Sequence, residues 1–261
     1  MPTTVVDELV RRVCTIALLF AAACSARPSL RNDPDVLARG RALAMDAVRA
    51  HGGLERWRTL GGVSLHLTSA GPYYPHEGDY LFDPARNRAV LHYVDKKGRA
   101  VEWRYDAKHG TILENGRCVG SPKERAKVGG LLSNLLFWLG VPFKWVDQGA
   151  TQRAIDADRY FVTYHDVGDT PRDWYVVTLG PDRRVHDAIY VASGFTTIME
   201  FQSVWEQWTD VGGWLVGTRR RVEPKNSFWR ALAPRIAYQM REVRIGLPLD
   251  DAMFAPPAGC S

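Results

Sequence analysis

The sequence predicts an α+β fold made mainly of antiparallel strands, in which one strongly curved sheet holds helices or a ligand on its concave face. Two observations lead to this prediction. One amphipathic helix near the start of the chain is followed by a long series of short strands separated by turn residues. Several later strands are apolar on both faces, whereas a sheet with one face in water alternates more cleanly. Both faces are therefore expected to be covered, at least in part.

Length and composition fit one folded domain. The chain has 261 residues and a formal net charge of +5. All-β folds often use this length as a single unit, so we assign residues 33–261 to one domain. The modest positive charge slightly favours anionic partners such as membrane surfaces. The many aromatic residues suit strands and apolar cavities better than helical bundles.

The first residues have the pattern of an export signal. Arg11 and Arg12 precede an apolar run that ends in small residues before Cys24, and this run is too short to span a bilayer comfortably. A cysteine directly after small residues resembles the bacterial lipoprotein signal, in which the cysteine is acylated. Ala21 departs from that pattern, which usually has Leu, Val or Ile at this position.

We interpret residues 1–23 as a lipoprotein signal peptide, Cys24 as the lipid anchor and residues 24–32 as a tether. Two alternatives stay open, namely secretion after ordinary signal cleavage and a cytosolic protein with an apolar start. No later stretch reaches about 18 apolar residues without charges, so the acyl group would be the membrane attachment. By analogy with bacterial lipoproteins, Ser25 permits delivery to the periplasmic face of the outer membrane.

The first helix has recognisable signals at both ends. Asp33 can cap its first free N–H groups, and Pro34 occupies the first helical position. Gly52 and Gly53 end the helix, because glycine adopts the left-handed conformation without strain. We interpret His51 as a C-terminal cap whose charge and donors favour the last carbonyl groups.

Strands follow this helix, because the apolar residues then recur with a period of two. Asn115-Gly116 is a strong two-residue hairpin signal, and short turns elsewhere also indicate antiparallel neighbours. The predicted strands cover residues 63–68, 78–83, 88–94, 99–106, 110–114, 117–119, 159–166, 173–179, 185–192, 195–208, 214–222 and 237–245.

A second helix interrupts the strands. Ser121 and Glu124 form a capping-box pattern, and the helix is expected to run to about Leu139. Its second half is very apolar, whereas Gly129 and Gly130 argue against one straight helix. Two interpretations stay open: a core helix packed on the sheet, and a plug or lid over an apolar cavity.

This order of elements resembles the LolA/LolB-like superfamily of periplasmic proteins and lipoproteins. The stretch Ala50–Trp57 and the ending Asp250–Pro257, with its pattern Asp-Asp-x-x-Phe-x-x-Pro, add to the likeness, which covers most of residues 35–257. The resemblance implies an incomplete β-barrel, a half-barrel of about eleven antiparallel strands closed on its open side by helices. It also implies a cavity for acyl chains of lipoproteins or other lipids.

An apolar cavity needs aromatic and aliphatic walls with few polar groups. Candidate ligand-binding residues lie on predicted strands and on or after the second helix: Leu65, Leu67, Trp103, Tyr105, Leu135, Trp138, Phe143, Trp145, Met199 and Phe201. Each of them alone is more often plain core, and only a real void would assign them to ligand binding.

Two further groups of residues leave alternatives open. Arg219, Arg220 and Arg221 lie on a predicted strand, so Arg220 points opposite to its neighbours. They form either a solvated strand edge or a contact to anionic lipid headgroups. Cys118 and Cys260 can pair in an oxidising compartment, but sequence does not show whether they approach each other.

The sequence contains no nucleophile elbow, P-loop, dinucleotide fingerprint or zinc-ligand spacing. We therefore expect no enzyme, cofactor, metal site or nucleic-acid partner. The preferred hypothesis is a lipid-anchored envelope protein that binds acyl chains or another lipid, as a possible lipid or lipoprotein carrier. The second is a structural or interaction module of the envelope with a filled core. A cross-strand pair of His165 and His186 keeps a hydrolase or lyase as the third.

Overall fold

The computed structural model describes residues 32–71, 74–164, 173–191, 199–232, 235–258 and 260, which form four α-helices and one sheet of thirteen strands. The helices are α1 (Pro34–Ala50), α2 (Gly53–Arg58), α3 (Pro122–Leu139) and α4 (Ser227–Leu232). The strands are β1 (Gly62–Ala70), β2 (Glu77–Asp83), β3 (Arg88–Val94), β4 (Ala100–Tyr105), β5 (Gly110–Glu114), β6 (Arg117–Val119), β7 (Ala150–Ala154), β8 (Arg159–Tyr164), β9 (Trp174–Leu179), β10 (Val185–Val191), β11 (Phe201–Val211), β12 (Trp214–Pro224) and β13 (Ile236–Leu247).

The sheet is open and curled, with antiparallel neighbours in the order β6-β5-β4-β3-β2-β1-β13-β12-β11-β10-β9-β8-β7. Its two edges, β6 and β7, follow one another in sequence, and α3 lies between them in the chain and packs on the concave side. The predicted α+β half-barrel with helices on its concave side is confirmed. It has thirteen strands where about eleven were expected.

The main core fills most of the concave side. Val63, Leu65 and Leu67 alternate into it from β1, as their period of two predicted. On the opposite face of the sheet, a smaller cluster is centred on Phe161 and Trp174. This second cluster confirms that both faces of the sheet are covered in part.

The turn between α1 and α2 contacts β12 where this strand no longer pairs with β13, a region that we call the β12–β13 seam. These strands pair only between Arg219–Val222 and the facing residues of β13, and further along the sheet they no longer pair with each other. At the seam, the Leu215 N–H donates to the His51 carbonyl oxygen at 3.2 Å. Gly52 adopts φ +105° there and lies against Gly213 of the β11–β12 turn. The predicted glycine end of α1 is thus confirmed.

His51 caps α1, as predicted, but it does so in the neutral form. Its Nδ1 lies 2.7 Å from the Ala47 carbonyl oxygen, and its ring meets Trp208 edge-on with centroids 4.4 Å apart. The side chain is fully buried, and this burial lowers the pKa of His51 to about 4. The expected contribution from a positive charge is therefore wrong, because the buried ring stays unprotonated at neutral pH.

Acid is expected to destabilise the protein through His51. The pKa of this side chain is about 4 in the folded chain, whereas an unperturbed histidine has a pKa of 6.5. Between these values the unfolded chain binds a proton that the folded chain does not, so stability falls as the pH drops from 6.5 to 4. At pH 4 the free energy of unfolding should be lower than at neutral pH by about 3 kcal/mol. Urea unfolding at about pH 7 and about pH 4 measures it, with His51→Gln as the reference. If the parent protein and the His51→Gln variant lost the same free energy of unfolding between pH 7 and pH 4, the prediction would be contradicted.

Helix α3 runs to Leu139, as predicted, and it is continuous through Gly129 and Gly130, which had argued against one straight helix. Its capping box is confirmed by the contacts between Ser121 and Glu124. Gly129 lies against Gly110 of β5, where a Cβ on Gly110 would collide with the helix backbone. Gly110 therefore allows α3 to pack closely on the sheet. No described helix is long and apolar enough to cross a membrane.

Cys118 on the edge strand β6 forms a disulfide bond with Cys260, and their Cα atoms are 5.6 Å apart. This settles the pairing that the sequence left open. The bond joins positions 142 residues apart in the chain. It therefore ties the end of the described chain to one edge of the sheet.

Candidate functional site

A cavity lies on the concave side, between α3 and the strands from β10 to β13. Its volume is about 60 Å³, within about 520 Å³ of empty space that includes the part open to solvent. This volume is well below that of typical small-molecule sites, roughly 300–1,000 Å³, so side chains of the wall must move to admit a larger ligand. Ten residues line it: Tyr74, Leu131, Asn134, Trp138, Tyr190, Phe201, Arg220, Val222, Ile236 and Tyr238. All but Asn134 and Arg220 are aromatic or aliphatic.

Regular spacing in the sequence places these side chains. Leu131, Asn134 and Trp138 are three and four positions apart on α3, so they share one face of the helix. Arg220 and Val222 are two positions apart on β12 and therefore point to the same side of the sheet. The same period of two on β13 brings Ile236 and Tyr238 to the cavity.

Aromatic rings form much of the wall. The Trp138 and Tyr190 ring centroids are 4.8 Å apart, and Tyr190 stacks on Phe201 at 5.8 Å. Tyr74 meets Tyr238 edge-on, also at 5.8 Å. Such offset and edge-on pairs stabilise each other beyond the area they bury, which favours a wall of defined shape.

The tyrosine hydroxyls leave the wall uncharged. The Tyr74 hydroxyl lies 3.0 Å from the Leu131 carbonyl oxygen and 3.3 Å from Asn134 Oδ1, and either oxygen can accept its hydrogen. Burial raises the pKa of Tyr74 and of Tyr190 well above the usual tyrosine range, so both stay neutral. Arg220 is consequently the only charged residue among the ten that line the cavity.

Arg220 is a buried cation whose donors are incompletely used. Its side chain is 5% exposed, and its Cζ lies 4.6 Å from the Trp138 ring centroid and 4.7 Å from that of Tyr238. Within the described residues, its Nε and Nη1 have no hydrogen-bond partner. Burying a charge without a counter-ion costs several kcal/mol of desolvation free energy. A cation–π contact offsets only about 2 kcal/mol of this cost.

The alternating directions predicted for the arginine stretch agree with the burial of its members. Arg219 is exposed, and Arg221 is half-buried with an ion pair of 3.2 Å to Glu206. A solvated strand edge does not describe Arg220, because the concave side of the sheet encloses it. That interpretation is therefore wrong for this one residue.

The structure brings two of the ten candidate ligand-binding residues to the cavity, Trp138 and Phe201. Six others are buried in the main core, where side chains already fill the concave side: Leu65, Leu67, Tyr105, Leu135, Phe143 and Trp145. Trp103 is half-buried against Tyr93 with ring centroids 5.4 Å apart, and Met199 is half-buried before β11. Ligand binding by any of the ten stays a prediction.

Other predicted sites fall partly outside the described residues. Cys24 and His165 lie there, so the lipid anchor and the His165–His186 pair stay predictions. His186 itself is exposed on β10, with its Nδ1 2.9 Å from a carboxylate oxygen of Asp187. No group of three or more His, Cys, Asp or Glu side chains among the described residues is arranged to hold a metal ion.

Solved structures identify the fold. A LolA superfamily protein from Nitrosomonas europaea superposes with a TM-score of 0.52 at 11% sequence identity, covering 83% of this chain and 97% of that one. A DUF1329 family protein from Desulfovibrio piger gives a TM-score of 0.42 at 13% identity, covering 83% and 97% of the two chains. The lipoprotein LppX from Mycobacterium tuberculosis gives 0.34 at 13% identity, covering 84% and 99%.

No protein-family model and no curated protein matches the sequence. The first of these superpositions shows that the chain has the fold of the LolA superfamily. The LolA/LolB-like resemblance found in the sequence is confirmed at the level of the fold.

Proposed function

We propose that this protein is an exported, lipid-anchored envelope protein that binds the acyl chain of a lipid in the concave cavity. The cavity carries this proposal, because eight of its ten lining residues are aromatic or aliphatic and it is partly open to solvent. Each methylene group that moves from water into such surroundings contributes about 0.8 kcal/mol of favourable binding free energy. An acyl chain is a ligand that such a wall binds without any catalytic group.

The proposed location is the periplasmic face of the outer membrane, with an acyl group on Cys24 as the anchor. Two observations support export. The first residues have the order of a lipoprotein signal. The disulfide between Cys118 and Cys260 is of the kind that persists in oxidising compartments outside the cytosol. The proposed role is that of a lipid or lipoprotein carrier.

The filled part of the concave side favours a second candidate function. Side chains of α1 and α3 belong to the main core and occupy most of the space that the curved sheet encloses. A protein whose core is filled in this way can act as an interaction module for another envelope protein. The two candidates differ in one measurable property, which is the uptake of lipid.

Native mass spectrometry tests lipid uptake directly. We expect the form that starts at Ser25, purified from cells without detergent, to carry a phospholipid or fatty acid. The variant Val222→Phe adds bulk to the cavity wall and should lower the bound fraction about tenfold. Val204→Phe on β11 is the matched control, because Val204 pairs with Arg221 on the other face of the sheet. A protein that carries no lipid and takes up none on incubation would support the interaction module instead.

A further inference from the structure

We infer that Arg220 binds the anionic head group of the cavity's ligand, which makes the ligand an anionic amphiphile with a terminal carboxylate or phosphate. This inference rests on the proposed function, since it assumes that an acyl chain occupies the cavity. It adds the chemical class of the ligand and the residue that selects it.

The burial of Arg220 is the first step of the argument. A guanidinium stays charged at any physiological pH, and this one is 5% exposed on the wall of a cavity with no other charged residue. Its neighbours on the same strand, Arg219 and Arg221, reach solvent or an acidic partner. Arg220 forms no ion pair with a carboxylate in the part of the chain that the structure describes, and two of its nitrogen atoms have no acceptor there.

The contacts of Arg220 explain which part of it is available. Trp138 and Tyr238 lie within cation–π distance of its guanidinium carbon. Such contacts attract the charge of the planar guanidinium group but supply no oxygen or nitrogen acceptor for its N–H groups. Nε and Nη1, which donate in that plane, are buried without an acceptor among the described residues. Each of these N–H groups can donate a charge-assisted hydrogen bond to an oxygen of a carboxylate or phosphate.

A purely structural role for Arg220 explains the ring contacts but not the unused donors. Two aromatic rings can hold a cation, yet a neutral residue of similar length would fill the same space without burying a charge. The cavity beside Arg220 has a volume of about 60 Å³ and an otherwise apolar wall, which must move to admit an aliphatic chain. The head group of one amphiphile therefore matches Arg220, and its aliphatic chain matches the apolar part of the wall.

A pair of ligands that differ only in the head group tests this inference. The full chain, made by cell-free synthesis under oxidising conditions without lipid or detergent, is titrated with dodecanoate and with dodecanol. Both are kept below the concentrations at which they aggregate, and binding is measured by native mass spectrometry and by tryptophan fluorescence. Dodecanoate should bind at least about tenfold more tightly, because a charge-assisted hydrogen bond forms only with the carboxylate. Dodecyl phosphate as a third ligand separates a fatty-acid source from a phospholipid source.

Variants at this position assign the preference to Arg220. Arg220→Met should remove the preference, so that dodecanoate binds no more tightly than dodecanol, whereas Arg220→Lys should keep part of it. Arg219→Met, on the opposite face of the same strand, should behave like the parent chain. Equal affinity of the parent chain for dodecanoate and dodecanol overturns the inference without any variant. Retention of the preference by a folded Arg220→Met chain also overturns it. If the parent chain binds neither amphiphile, the proposed function itself is wrong.

Discussion

Replacing Gly52 with alanine is expected to lower the free energy of unfolding by about 2–3 kcal/mol. The residue has φ +105°, where a side chain costs about 1–2 kcal/mol of backbone strain. Its new Cβ would also collide with the Gly213 carbonyl oxygen. To relieve the collision, α1 must move away from the β11–β12 turn, which breaks the hydrogen bond between Leu215 and His51, worth about 1 kcal/mol. Denaturant unfolding of the purified variant measures the loss.

The neighbouring glycine provides a matched control for this prediction. Gly53 also has a positive φ, +83°, but a Cβ added there meets no atom within 4 Å. Gly53→Ala should therefore lose only the strain, about 1–2 kcal/mol. If the two variants were equally stable, the close approach of Gly52 to Gly213 would have no energetic role.

Removal of the disulfide is expected to have the largest effect, about 5 kcal/mol for a loop of this length in the chain-entropy estimate. The bond closes a loop over 142 positions, and longer loops restrict the unfolded chain more strongly. The double variant Cys118→Ser and Cys260→Ser should unfold at a much lower denaturant concentration than the oxidised protein. Guanidinium unfolding measures the difference.

Reduction of the parent chain is the control for the double variant. Both proteins then lack the bond, and their unfolding midpoints should coincide, apart from the small effect of changing sulfur to oxygen. A double variant as stable as the oxidised protein would show that the bond constrains only the end of the chain. In that case the reduced parent chain would also keep its stability.

Elements with a local signal were predictable from the sequence. The cap of α1 at Asp33 and the capping box at Ser121 both have the predicted hydrogen bonds. Asn115 and Gly116 have positive φ values of 49° and 77°, as their hairpin turn requires. These signals depend on a few neighbouring residues, and tertiary contacts do not change them.

Strand β7 was not predicted, because its central residues are polar and yet buried. Gln152 donates to the Trp145 carbonyl oxygen at 2.7 Å, and Arg153 donates to Thr163 Oγ1 at 3.1 Å. These partners compensate for the loss of water, so a polar strand becomes stable inside the protein. Sequence does not show which distant acceptors will be available.

The candidate site was predictable only in part. A sequence does not show which region of the concave side the helices fill, so most of the predicted wall residues belong to the packed core. Arg220 did have a signal. On β12 it shares its face with Trp214, Val216 and Val222, all buried, and a single arginine within an apolar row indicates an inward charge.

The pairing of β1 with β13 determines when the sheet can be completed. β1 is synthesised well before its partner β13, the last strand in the part of the chain that the structure describes, so this contact has a very long sequence separation. Contacts of this kind form slowly, after the local hairpins. Until β13 arrives, β1 has an unpaired edge that can bind strands of other chains. The nascent protein therefore needs protection from aggregation until β13 has been synthesised.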